Sequence, residues 1–164
     1  MPDAEVSTWL PILPFLHQLS TGAPTPLIAA LNVCGGPAMT TDGARPVVAT
    51  FNTDDADLTL LQQAFEAEGF VIVAARPTQF SGEQDLLDFL ATHTPDLVLY
   101  DVARPYVASA DAFQRMYEAV VTAGYPFVIS TTSPAALGPA TTPADVVRAV
   151  RATLAAAAGG RATP

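Results

Sequence analysis

The apolar run Leu97-Val98-Leu99-Tyr100 ends on Asp101, and Pro105 follows four residues later. A carboxylate that closes a buried strand stands at the edge where α/β sheets bind ligands and react, which makes Asp101 the first candidate for chemistry. A second short run, Pro126 to Ser130, ends beside the hydroxyls of Thr131 and Thr132, and a third, Val47 to Phe51, ends on Asn52, Thr53, Asp54 and Asp55. These residue types suit phosphoryl transfer to a carboxylate. That reaction needs a positioned nucleophile, a divalent cation to neutralise charge and donors on the equatorial oxygens. The same residues also suit plain structure, with Asp101 as a turn residue at a strand end and residues 52–55 as the turn and N-cap of a helix.

Composition removes several classes of mechanism. All seven basic residues are arginine, so chemistry that needs an ammonium or a Schiff base is excluded. Sixteen acidic residues give a net charge of −9, which repels phosphate backbones and anionic lipid and argues against nucleic-acid or membrane partners. Cys34 is the single cysteine and cannot form an internal disulfide, which fits a reducing cytoplasm. His17 and His93 lie far apart in the pattern, and Gly35-Gly36 opens no strand-turn-helix, so neither a histidine base nor a phosphate loop is indicated.

The elements that must position these residues follow from periodicity. From Pro46 onward, strand and helix patterns alternate with short connections, as in a doubly wound parallel α/β sheet. Val47 to Phe51 and Phe70 to Ala75 read as strands around a helix over residues 55–68, whose Leu58, Leu61 and Phe65 share a face and which Gly69 stops. Ser81-Gly82-Glu83-Gln84 reads as a capping box for a helix with Leu86, Leu87 and Leu90 inward, ended by Thr94-Pro95. Ala110 to Ala123 sets Phe113, Met116, Tyr117, Val120 and Val121 at helical spacing. Thr142-Pro143 opens a last helix through Val146, Val147, Val150 and Leu154.

Asp101 with its Asp-x-x-x-Pro step, placed third in this succession of strands, resembles the phospho-acceptor strand of response-regulator receiver domains. The resemblance covers residues 46–158 and implies the receiver or flavodoxin-like strand order 2-1-3-4. It also implies roles: Asp101 as acceptor, Thr131 as the switch hydroxyl with Thr132 beside it, and the backbone carbonyl of Ala103 in a magnesium shell. The family's acidic metal-binding pair falls on Asn52 and Thr53, with Asp54 and Asp55 just beyond, and the family's lysine has no counterpart. Any Mg2+ site built from Asn52, Asp54, Asp55, Asp101 and Ala103 would therefore be weak. Only Ser133 to Thr141 separate the fourth strand from the last helix, so the fourth helix and fifth strand are expected to be shortened or lost, with the fifth position empty or filled by something else.

Residues 1–45 form a separate arm, and 159–164 a tail. The arm is broken by Pro11, Pro14, Pro24, Pro26 and Pro37; its apolar stretch Trp9 to Leu19 is too short to span a bilayer. It is read either as an over-extended or disordered start before Met39 or as a cover for part of the domain. The expected function is that of a degenerate single-domain receiver-like module in bacterial two-component signal transduction, acting by protein–protein interaction rather than turnover. The resemblance implies a sensor kinase as the protein partner, and an open fourth-strand edge points to a homodimer. The rivals are a functional phospho-accepting regulator using Asp101 and a flavodoxin-like small-ligand binder.

Overall fold

The computed structural model describes residues 44–52, 54–101, 113–130 and 142–159 in full, and residues 28–31 and 110–112 by their backbone. Strands β1 (Ile28–Leu31), β2 (Val47–Phe51), β3 (Val71–Ala75), β4 (Leu97–Asp101) and β5 (Phe127–Ser130) form one sheet in the order β1-β5-β4-β2-β3. Helices α1 (Asp55–Ala67), α2 (Glu83–His93), α3 (Ala110–Thr122) and α4 (Pro143–Gly159) alternate with them. The pairs β2–β3, β2–β4 and β4–β5 are parallel. Counted from Val47, the parallel strands therefore lie in the order 2-1-3-4, the doubly wound arrangement that the alternation predicts.

Period-two alternation along each strand builds two cores. Ala49, Phe51, Val98, Tyr100, Phe127 and Ile129 face α2 and α3, meeting Leu86, Leu90, Phe113 and Val120. Val48, Leu97, Leu99 and Val128 face α1 and α4, meeting Leu61, Phe65, Val146 and Val150. Because β4 is covered on both sides, all five of its residues are buried, which is why it reads as an unbroken apolar run. Asp96 fixes how the central strands start: its carboxylate accepts from Val47 N–H at 2.8 Å, and its own N–H donates to the Val47 carbonyl at 2.8 Å.

Helix ends follow the sequence with one shift. At the end of α1, Gly69 takes φ +87°, Phe70 N–H reaches the Phe65 carbonyl at 3.0 Å, and Gly69 N–H reaches that of Glu66 at 3.1 Å. This is a Schellman turn, and the Phe65 and Phe70 rings 5.3 Å apart supply its apolar contact. Thr142 and Asp145 exchange bonds across the first turn of α4, as the Thr142-Pro143 step predicts. For α2 the N-cap is Gly82 rather than Ser81; Ser81 N–H instead donates to the Asp85 carboxylate at 2.9 Å. Leu87 is only half-buried, while Leu86 and Leu90 face the core.

The fifth position of the sheet is occupied. Ile28–Leu31 pairs antiparallel with β5, Ile28 opposite Ser130 and Leu31 opposite Phe127. Of the two covers expected for this edge, a second copy or the arm, the structure supplies the arm. The fifth position is thus filled by a strand of the arm, the second of the two covers expected. The physical reason is that an apolar strand edge left unpaired would present a row of backbone donors and acceptors, which a further strand satisfies.

Candidate functional site

The parallel pairing of β2, β4 and β5 brings their carboxyl ends to one edge. Asp101 is the register partner of Ser130, and Tyr100 that of Phe51, so Asn52, Asp101 and Ser130 form a row across three adjoining strands. They share the face that packs on α1 and α4. All three are buried, Asp101 to 1% exposure. Asn52 Nδ2 donates to Asp101 Oδ2 at 2.7 Å, and the Ser130 hydroxyl donates to Asp101 Oδ1. Both oxygens of the carboxylate are thus held by neutral donors, which localise and orient it in a low-dielectric setting.

Asn52 also fixes the turn into α1, because its Oδ1 accepts from Asp54 N–H at 2.7 Å. Asp54 is the N-cap of α1: its Oδ1 accepts from Ala56 N–H at 2.8 Å and from Asp57 N–H at 3.1 Å. Asp55 faces away from the row and forms an exposed ion pair with Arg76. One turn into α1, Asp57 is buried over the row, and no hydrogen bond to its carboxyl is found among the described residues. Burial, reinforced by the charges of Asp101 and Asp54, raises its pKa from 3.8 to about 6. One row below Asn52, Thr50 lies opposite Leu99, with its hydroxyl buried and without a hydrogen-bond partner among the described residues.

Of the residues proposed from sequence for a magnesium shell, Asn52, Asp54 and Asp101 meet at one edge, and Asp55 turns away to Arg76. Asn52 spends its amide on Asp101 and its oxygen on the Asp54 N–H, Asp54 caps the helix, and Asp55 pairs with Arg76. Among the described residues no group of three His, Cys, Asp or Glu side chains stands where it could hold a metal ion. Thr53, Ala103, Thr131 and Thr132 lie outside the described residues.

Two participants escape a reading by motif. Ser130 supplies the hydroxyl that reaches Asp101, one position before Thr131. Strand alternation carries the signal: Phe127 and Ile129 face one core and Val128 the other, so Ser130 must share the Val128 side with Asp101. Asp57 gave only the weak signal of an acid in a first helical turn, where such residues are common for reasons of capping and dipole.

Among the described residues no helix is long and apolar enough to cross a membrane. Neither comparison of the sequence with models of known protein families nor comparison with curated proteins finds a match.

Proposed function

We propose that the chain is a receiver-like module, degenerate in phosphotransfer, that acts in the cytoplasm by binding other proteins in signal transduction. The doubly wound order with a carboxylate closing its central strand supports the receiver likeness. The degeneracy rests chiefly on one observation: the Asp101 carboxylate is buried, with Asn52 and Ser130 each donating to one of its oxygens. Attack on a phosphodonor would have to come from an oxygen that already accepts one of these bonds, inside a buried edge and with its electron density drawn toward the donor. The incoming phosphoryl group would then meet no lysine and, from Asn52, an amide where a metal-binding carboxylate is needed.

A domain of this kind communicates through its surfaces rather than by turnover. A sensor kinase or another receiver-binding protein is the expected partner, and a homodimer the expected assembly. Titration with beryllium fluoride and magnesium, followed by amide NMR, tests the reading. The expected result is that resonances of Asn52, Asp101 and Ser130 stay in place. Saturable shifts centred on those three residues would instead establish a working phospho-acceptor.

A further inference from the structure

The two edges of the sheet are finished differently. β1 closes the β5 side, while β3, at the other end of the order, has β2 as its one strand partner among the described residues. In that parallel pair Val71 N–H donates to the Pro46 carbonyl at 2.8 Å, and Asn52 N–H donates to the Ala75 carbonyl at 3.3 Å, so Val71, Val73 and Ala75 turn their backbone groups inward to β2. The N–H and C=O of Ile72 and of Ala74 therefore point outward, in line with the Phe70 carbonyl and the Arg76 N–H.

The chain closes both ends of this edge with its own side chains. Arg45 Nη2 donates to the Phe70 carbonyl at 3.1 Å, and Arg76 N–H donates to the side-chain oxygen of Gln79 at 3.1 Å. Between these two caps, the backbone groups of Ile72 and Ala74 have no partner among the described residues. The strand also lacks the usual protections of an open edge: Val71–Ala75 contains no charge and no proline, pairs without a bulge, and begins on an exposed Val71.

We infer that β3 is the interface of a homodimer, in which the β3 strands of two copies pair antiparallel about a two-fold axis at Val73. That register sets Ile72 opposite the partner's Ala74 and Ala74 opposite the partner's Ile72, so each pair exchanges two hydrogen bonds and every open group is closed. The ladder ends at Phe70 and Arg76, where the caps begin. A longer foreign strand would run into Arg45 and Gln79, whereas a second copy presents the same short open stretch between the same caps. Charge fits as well. Arg45, at the amino end of β3, donates to the Gly69 and Phe70 carbonyls and reaches no carboxylate among the described residues. The two-fold brings it to the carboxyl end of the partner's β3, where the partner's Asp55 is exposed beside Arg76, and this offsets locally the repulsion between two chains of net charge −9. The dimer does not depend on the receiver reading, because it follows from the backbone groups of one edge strand.

Sedimentation velocity with one backbone substitution tests it. Ala74→Pro removes an N–H that the single chain does not use, in a position where an edge strand tolerates proline. The full-length chain is expected to sediment as a dimer at tens of micromolar, and the Ala74→Pro chain as a monomer with an unchanged circular dichroism spectrum. Ala74→Lys, which puts a charge on the same edge, gives the same readout if the proline variant fails to fold. The axis is checked separately. Opposed residues of the non-hydrogen-bonded antiparallel kind have Cα atoms about 4.5 Å apart, within disulfide reach, so Val73→Cys in a Cys34→Ser chain is expected to give a disulfide-linked dimer on a non-reducing gel after mild oxidation. A monomeric unsubstituted chain, a dimer that survives substitution of Ala74, or failure of the folded Val73→Cys chain to cross-link would overturn the inference.

Discussion

A carboxyl group buried beside two others opposes folding, and Asp57 is in that position. Its pKa is raised in the folded protein, so the folded state binds the proton more tightly than the unfolded chain. Its effect on stability is therefore absent below pH 4, grows more unfavourable as pH rises toward about 6, and is complete above it. Asp57→Asn is expected to stabilise the protein at pH 7.5 by up to about 3 kcal/mol and to change it little at pH 3. Denaturant unfolding at the two pH values measures this; equal effects at both would mean that Asp57 is not electrostatically strained. Thr50 offers a simpler case. Its buried hydroxyl lacks a partner, so Thr50→Val is expected to be neutral or stabilising by about 1 kcal/mol. A loss of stability would show that the hydroxyl is satisfied by something bound. The opposite holds for Asp101→Ala, which strands the Asn52 amide and the Ser130 hydroxyl and is expected to cost about 2–4 kcal/mol in thermal or denaturant unfolding.

At the level of elements, the Schellman turn after α1 depends on one backbone conformation. Nothing lies within 4 Å of a Cβ built on Gly69, so space is not limiting; its φ of +87° is. Gly69→Ala is expected to cost about 1 kcal/mol, read as a lower denaturant midpoint with an unchanged slope. This glycine was legible because it directly follows an amphipathic pattern, and so were β2 to β5, whose alternation or unbroken apolar character is local. What was not legible had non-local causes. Ile28–Leu31 pairs with residues about a hundred positions later, and four apolar residues carry no period of their own. Asp57 is buried because of where α1 docks, which its helical position does not record. The site was half legible: Asp101 and Asn52 close their strands visibly, but a family pattern directs attention to Thr131, while the face shared with Asp101 selects Ser130.

For the whole molecule, the candidate site and the covered sheet edge meet at β5. The parallel sheet places Asn52, Asp101 and Ser130 in one row, while the added antiparallel strand closes the β5 edge beside that row. The neutral donors of this row stabilise a developing phosphoryl charge less than a metal and an ammonium do. The most direct test is intact-mass measurement of the full chain after incubation with a small phosphodonor and magnesium, beside a receiver domain that is known to label. The degenerate reading predicts no added phosphoryl group on the time scale that saturates the control. Rapid stoichiometric labelling that requires magnesium and disappears in Asp101→Ala would contradict it.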